Sequence, residues 1–320
     1  MRVSAVLPAL CLTLTLPAAP QARKTPQPPA DGSRLYYYAT PRSTLETEVH
    51  TVPPNDAARF DRLKALFADQ GCSGDQLKIQ PRGKSHDPGN LVCTWPGTST
   101  STIIVLAEYQ HQGKGQSAVE NWSGAVLLPY LYFAMQVRPR ENTWVFVESG
   151  SKSGADDYIH SLTGEQKKQI RAMIALDSLG VSPVLRFYSL DPEHVYLPAP
   201  TAHLQMTLAL ATLSDRTVPR PQAISPSRWL RTDDTQPFRY SHVPCILLDS
   251  IAQEDAGLPG SAHDIPSAID GNAYFLNYRA IAVFFVGLDP LAAKLPTDSP
   301  IWHGQGAQFH IDPNDLPSLR

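Results

Sequence analysis

Acidic side chains lie beyond predicted strands and one histidine precedes the last predicted helix, where these side chains could bind a metal ion and activate water. The candidates are Glu108, Glu120, Glu148, Asp177 and His263. Carboxylate oxygens and an imidazole can coordinate a metal ion, and a further carboxylate can take a proton from the bound water. The residue types are therefore typical of a hydrolytic metal centre. Acidic residues are also common in strand-to-helix loops, so a solvated surface role stays open for each of them.

Alternating strands and helices must bring these side chains together. Apolar runs with turn residues around them predict strands at 91–94, 102–107, 144–147, 173–176, 184–189 and 245–248. Helical spacing and capping residues predict helices at 55–70, 123–137, 164–171, 201–213 and 271–288. This alternation predicts an α/β fold with three α/β/α layers around a mostly parallel sheet, whose ligand site lies at the carboxyl ends of the strands.

Five ordered segments carry a resemblance to a known family. They are AEYQHQGKGQSAVENWSGA, VFVESGSKSGADDY, IRAMIALDSLG, HVPCILLDS and HDIPSAID. In this order and at nearly this spacing they resemble the zinc aminopeptidase family, which also includes glutaminyl cyclases and transferrin-receptor-like domains. The resemblance covers roughly residues 91–289 and implies an aminopeptidase-like fold and the hydrolysis of N-terminal peptide bonds by a metal-activated water.

The resemblance also implies which residues occupy the metal site. Glu108 stands where the family has a histidine ligand, Glu120 where it has the bridging carboxylate, and Asp177 at the third-block aspartate. Glu148 stands at the general base, and Ser149 occupies a lost ligand position. Gln110 replaces an aspartate of the first block.

The last ligand of the family is a histidine some residues before an Ile-Asp pair. His263 fills that position only with a gap of about three residues before Ile269 and Asp270; without a gap Gly260 falls there. His111 is a possible substitute ligand, displaced by three residues from Glu108.

Because ligand positions have changed, the resemblance implies a degraded two-metal site with weak or no activity. The family uses zinc; this chain would bind one metal ion or none, and an all-carboxylate set favours a hard cation such as calcium, magnesium or manganese. The substrate of an active form would be a peptide or small amide. The alternatives are a hydrolase with a single or hard cation and a non-catalytic binding module on the same fold. Without a metal, Glu120 would instead cap a helix and Asp177 would bind loop amides.

Composition and termini indicate an exported protein. The run from residue 3 to 20 is uncharged and follows Arg2, which predicts a signal peptide at 1–22, with a retained anchor as the alternative. A Pro-rich linker at 23–33, a single α/β domain at 34–290 and an irregular tail at 291–320 follow. We therefore expect a secreted or periplasmic protein without membrane association after cleavage. The formal net charge of −3, with no basic stripe, does not favour nucleic-acid binding.

Two further motifs and the cysteines complete the sequence predictions. An exported chain allows Cys72 and Cys93 to form a disulfide across the loop at 73–92, while Cys245 lies in a predicted core strand. The glycines at 113 and 115 form a weak dinucleotide-binding pattern, but they come too late after the strand. Asn121 begins a glycosylation triplet, although in this loop it is better placed to serve the helix entry.

Overall fold

The computed structural model describes residues 35–81, 88–151, 153–188, 199–224 and 234–292, all within one compact unit. The predicted signal peptide and linker, and nearly all of the predicted tail, lie outside these residues. A mixed eight-stranded sheet runs through the described part of the chain in the order β1-β2-β4-β3-β5-β8-β6-β7. The strands are β1 Leu77–Gln80, β2 Asn90–Trp95, β3 Thr102–Glu108, β4 Thr143–Ser149, β5 Ile170–Leu176, β6 Arg186–Tyr188, β7 Gln222–Ile224 and β8 Cys245–Asp249.

The four central strands, β4, β3, β5 and β8, are parallel to one another, so their carboxyl ends meet along one edge. Each is rich in β-branched and apolar residues and is buried on both faces, as parallel strands require. The outer pairs β1–β2, β2–β4 and β6–β8 are antiparallel.

Helices cover both faces of the sheet. They are α1 Arg42–His50, α2 Asp56–Asp69, α3 Ser123–Ala125, α4 Leu128–Met135, α5 Gly154–Ser161, α6 Gly164–Gln169, α7 Ala199–Leu213, α8 Gln236–Tyr240 and α9 Gly271–Ala292. One hydrophobic core packs α1, α2, α4, α7 and α9 against side chains such as Val105 and Ile174. A second core packs α5 and α8 against the opposite face of the sheet, at Leu106 and Met173. The predicted three-layer α/β/α class is confirmed.

The longest helix, α9, is apolar and long enough to cross a membrane by length and composition. In the fold, 72% of its apolar window is buried against the sheet and its neighbouring helices. It is therefore placed as a core helix of the three-layer domain.

The local signals for two helices are confirmed. Asn55 caps α2, because its side chain accepts a hydrogen bond from the backbone N–H of Ala58 at 2.9 Å. Thr163 and Gln166 form the expected capping box at the start of α6.

Other predicted segments differ from the observed ones. The span expected as one helix at 123–137 consists of two short helices, α3 and α4, after a π-helical turn at Ala118–Trp122. The loop expected between the two cysteines contains β1, which forms a hairpin with β2. β1 has only four residues, and Lys78 and Ile79 are both exposed, so no buried apolar run marks the strand.

The predicted disulfide between Cys72 and Cys93 is present and buried, and it joins the segment after α2 to β2. Cys245 is a free, buried cysteine in β8, as expected for a core residue.

Candidate functional site

Carboxylates gather at the carboxyl edge of the parallel strands. Glu108 ends β3, Asp177 follows β5 directly and Asp249 ends β8. Glu120 comes from the π-helical turn, and its backbone carbonyl accepts a hydrogen bond from Ser178 N–H at 3.3 Å, next to Asp177. Asp234 interacts electrostatically with Glu108 and Asp177. We call Glu108, Glu120, Asp177, Asp234 and Asp249 the acidic cluster.

Burial, and after it the crowding of like charge, makes ionisation of Glu108 and Asp177 costly. Burial, followed by the charges of Asp234 and Asp177, raises the pKa of Glu108 to about 9, against a lowering effect from the hydrogen bond that Gln112 donates to it. Burial also raises the pKa of Asp177 well above its ordinary value, and the neighbouring carboxylates add to the rise. The Ser178 hydroxyl opposes it by donating to Asp177 Oδ1 at 2.6 Å. At neutral pH Glu108 therefore holds a proton that a free carboxylic acid would have lost.

The structure brings Glu108, Glu120 and Asp177 together, but it places Glu148 elsewhere. Glu148 lies beside Ala107 in the next strand, and the alternation along β4 puts its side chain on the face that carries Trp144 and Phe146. Its side chain is fully buried, and within the described residues neither carboxylate oxygen has a hydrogen-bond partner. Burial alone raises its pKa well above the ordinary value, without a contribution from the acidic cluster.

Ser149, at the lost ligand position, is also fully buried. Its hydroxyl donates a hydrogen bond to the Ser151 carbonyl at 2.8 Å, and its own carbonyl accepts one from Tyr109 N–H at 3.0 Å. Through these bonds Ser149 stabilises its own loop and the segment that begins at Tyr109.

Neither candidate histidine ligand is buried. His263 is exposed, and its backbone N–H donates to Ser261 Oγ at 3.1 Å. His111 is exposed as well, and its Nε2 lies 2.8 Å from the Gly115 carbonyl oxygen. Beside His263, Asp264 is fully buried, and its carboxylate accepts hydrogen bonds from Val119 N–H at 2.6 Å, Gly260 N–H at 2.9 Å and Glu120 N–H at 3.3 Å.

The Gly-rich loop, residues 109–117, packs against the loop at 258–264 backbone to backbone. A Cβ on Gly113 would lie 2.4 Å from the Gly260 carbonyl oxygen, and a Cβ on Gly115 would lie 2.5 Å from the Ser261 carbonyl oxygen. The glycines therefore allow two loops to touch and do not form the strand-to-helix turn of a dinucleotide site.

The π-helical turn begins after Ser117, a non-glycine residue with φ of 43°. π-helical turns and non-glycine residues with positive φ are often found at functional sites. Asn121 lies in this turn, is 5% exposed, and donates through its side chain to the Gln110 carbonyl at 2.6 Å. Its side chain thus joins the turn before α3 to the Gly-rich loop, and its buried amide does not present a glycosylation site.

The family's pair of zinc ions does not fit the residues present. No group of three or more His, Cys, Asp or Glu side chains converges as metal ligands within the described part of the chain. The acidic cluster interacts through charge, which acts over longer distances than coordination bonds of about 2 Å. Ser149, at one ligand position of the family, gives its hydroxyl to a carbonyl of its own loop, and His263, expected at another, is exposed.

Asp234 and Asp249 are members of the acidic cluster that the sequence did not single out. Asp249 could have been found, because it ends a predicted apolar strand just as Glu108 does. Asp234 has no such signal, since it lies in a polar connection before α8.

Comparisons with solved structures give the class of the fold. The structure superposes on glutaminyl cyclase from Macrostomum lignano with a TM-score of 0.61 and 14% identity, over 78% of this chain and 88% of the other. For the Porphyromonas gingivalis glutaminyl cyclase the TM-score is 0.56 and the identity 15%, over 76% and 96%. For the zinc aminopeptidase of Bacillus subtilis the values are 0.51 and 14%, over 61% and 49%.

The chain thus has the fold of zinc aminopeptidases and glutaminyl cyclases, and the resemblance expected from the sequence is confirmed at this level. It spans about half the length of the Bacillus subtilis aminopeptidase. No protein-family model matches the sequence, and no curated protein matches it.

Proposed function

We propose that this chain is an exported protein of the zinc aminopeptidase and glutaminyl cyclase fold with a degraded two-metal site and weak or no hydrolytic activity. It serves as a binding module whose cleft lies at the acidic cluster. The observation that carries the proposal is Ser149, which stands at a metal-ligand position of the family, is buried and gives its hydroxyl to the Ser151 carbonyl. A serine engaged in this way is a poor zinc ligand.

The state of Glu148 supports the proposal. A general base must be ionised at the working pH and within hydrogen-bond reach of the proton that it takes. Burial raises the pKa of Glu148 well above its ordinary value, which disfavours the ionised form that a general base needs. It also lies on the opposite face of the sheet from Glu108, as the strand alternation requires.

The ligand that we propose for the cleft is the amino-terminal end of a peptide, or a related small amide. Ionised members of the acidic cluster would attract an ammonium group. Export is supported by the buried disulfide between Cys72 and Cys93, since such bonds persist in oxidising compartments.

Metal content and catalysis together test the proposal. Protein purified without chelators is analysed for bound metal by plasma mass spectrometry, before and after dialysis against zinc. It is then assayed for release of N-terminal amino acids and for cyclisation of N-terminal glutamine. We expect less than one tightly bound zinc per chain. Any turnover in the two assays should be the same for wild type and Glu148→Gln. Stoichiometric zinc, with hydrolysis abolished in Glu148→Gln, would refute the proposal.

A hard cation at the acidic cluster is a second candidate, favoured by the mutual charge repulsion within it. A bound divalent ion would relieve this repulsion and displace protons from Glu108 and Asp177, because only the ionised carboxylates coordinate the ion. Calcium or manganese is titrated by calorimetry in two buffers of different ionisation enthalpy. Binding that releases protons in wild type, is retained in Glu165→Gln and is weakened about tenfold or more in Glu108→Gln would favour this candidate. Heats equal to those of dilution would exclude it.

A further inference from the structure

Two buried charges of opposite sign enclose the Gly-rich loop. Arg59 of α2 is 1% exposed, and Asp264 is fully buried. Asp264 contributes to the electrostatic environment of Arg59, whose pKa burial lowers to about 10. Two ionisable groups held inside a protein must be compensated by hydrogen bonds, and here the partners are backbone groups of the loop and its neighbours.

Arg59 binds carbonyl oxygens of the loop. Its Nη1 donates to the Tyr109 carbonyl at 3.0 Å, Nη2 donates to the Gln116 carbonyl, and Nε donates to the Pro53 carbonyl at 3.3 Å. The guanidinium also lies over the Trp122 ring, 5.8 Å from its centroid. One side chain thus fixes both ends of the Gly-rich loop against α2.

Asp264 binds N–H groups on the other side of the loop. Its carboxylate accepts from Val119 and Glu120, which carry the second and third N–H groups of the π-helical turn, and from Gly260 in its own loop. The backbone bonds from Gln116 N–H to the Asp264 carbonyl, at 2.7 Å, and from Lys114 N–H to the Gly260 carbonyl, at 3.2 Å, run between the same two segments. A negative charge near the first N–H groups of a helical turn is favourable in itself.

We propose that Asp264 and Arg59 form an ionic clamp that holds the Gly-rich loop and the loop at 258–264 together without a metal ion. Arg59 binds carbonyl groups of the Gly-rich loop, and Asp264 binds N–H groups of the π-helical turn that follows the loop. The clamp sets the position of Glu120, whose own N–H it binds, and so keeps the acidic cluster in shape. The proposal rests on the proposed function in one respect, that no metal ion cross-links these loops.

Limited proteolysis tests the clamp at a bond inside the loop. The Lys114 side chain is exposed, but its backbone N–H is bonded to the Gly260 carbonyl and Gly115 packs against Ser261. Lysyl endopeptidase can therefore cut after Lys114 only when the loop leaves its neighbour. Cleavage of the full chain between Lys114 and Gly115 is followed by intact-mass spectrometry. We expect Asp264→Asn, which loses charge-assisted hydrogen bonds, to accelerate this cleavage about tenfold or more. Arg59→Lys is expected to act in the same direction, since a lysine cannot reach three carbonyls.

Asp270→Asn is the matched control. Asp270 is exposed and accepts from Ala273 N–H at 2.6 Å at the start of α9, so its loss removes a carboxylate hydrogen bond outside the clamp. Its cleavage rate after Lys114 should stay within about twofold of the wild type. Equal rates in Asp264→Asn and Asp270→Asn would overturn the clamp.

A chelator arm separates this proposal from the proposed function. Phenanthroline should leave the wild-type cleavage rate unchanged. Acceleration by phenanthroline would show that a metal ion holds the loops, and the proposed function would fail with the metal-free clamp. If Asp264→Asn does not fold, hydrogen exchange of the wild-type Val119 amide decides, because exchange as fast as that of an open peptide would overturn the clamp.

Discussion

At the scale of single residues, Glu148 is the side chain whose placement has the largest consequence. A buried carboxyl group without hydrogen bonds is stable only when it is neutral, and the folded-state pKa is therefore raised above 4.5. The folded chain binds a proton that the unfolded chain releases. Stability from this group is full below the unfolded pKa and is lost as the pH rises toward the folded pKa.

We predict that Glu148→Gln removes this loss. Free energies of unfolding are measured by urea denaturation between pH 5 and pH 8 for wild type, Glu148→Gln and Glu165→Gln, in which the exposed Glu165 serves as control. The difference between Glu148→Gln and wild type should grow in favour of the variant by up to about 1.4 kcal/mol per pH unit. Glu165→Gln should run parallel to wild type. A pH-independent difference for Glu148→Gln would contradict the burial of a protonated carboxyl.

From the sequence, the position of residues such as Glu108 and Asp177 could be predicted more easily than their protonation state. Glu108 and Asp177 follow apolar strands, and parallel strands bring such positions to one edge. Glu148 also follows an apolar run, but alternation along β4 places its side chain on the other face of the sheet. A shift of one residue along a strand moves a side chain to the other face of the sheet. Neither the spacing nor the composition of the sequence determines where the buried part of a strand ends. The role of Glu148 as a base, taken from the resemblance, stays a prediction.

At the scale of elements, the close packing of two loops is the feature that a mutation tests best. Gly115 allows the Gly-rich loop to touch the loop at 258–264, because an added Cβ would lie 2.5 Å from Ser261 O and 2.6 Å from Asp264 O. These are backbone atoms, which cannot move aside as a flexible side chain can.

We predict that Gly115→Ala lowers the free energy of unfolding by about 1–3 kcal/mol, the usual range for overpacking. The control is Gly257→Ala, where nothing lies within 4 Å of the added Cβ. Because an alanine without a clash restricts the unfolded chain, the control should be neutral or slightly stabilising. Urea denaturation at pH 7 compares the two variants. Equal stability of both would mean that the two loops do not pack as described.

The regular elements were predictable where one signal dominated. Five central or near-central strands are buried apolar runs, and α2 and α6 carry capping residues that the structure confirms. The helix expected at 123–137 is interrupted at Val126 and Leu127, which join two short helices. Pro129 lies at the start of the second helix, and the apolar pattern does not reveal the break. α1, α5, α8, β1 and β7 were not predicted, since each is short and its apolar contacts come from distant parts of the chain.

At the scale of the whole molecule, the order of the strands places the acidic cluster and the disulfide in different parts of the sheet. The acidic cluster arises from β3, β5, β8 and the segments beside them, in the middle of the sheet. The disulfide joins the segment after α2 to β2, near one margin of the sheet. Arg59 of α2 reaches from this margin to the Gly-rich loop, so α2 connects the cross-linked part of the fold to the site.

We predict that loss of the disulfide lowers the free energy of unfolding by about 3 kcal/mol, because the unfolded chain regains the freedom of a loop of 21 residues. Cys72→Ala with Cys93→Ala is compared with wild type by urea denaturation, and reductant is added to both. Reductant should destabilise the wild type and leave the double variant unchanged. Cys245→Ala is the control, since this free cysteine forms no disulfide and the variant should respond to reductant as the wild type does. If α2 transmits the loss to the site, cleavage after Lys114 will accelerate in the double variant as well. Destabilisation without faster cleavage would confine the effect of the disulfide to the margin of the sheet and would leave the Gly-rich loop held by Arg59 and Asp264 alone.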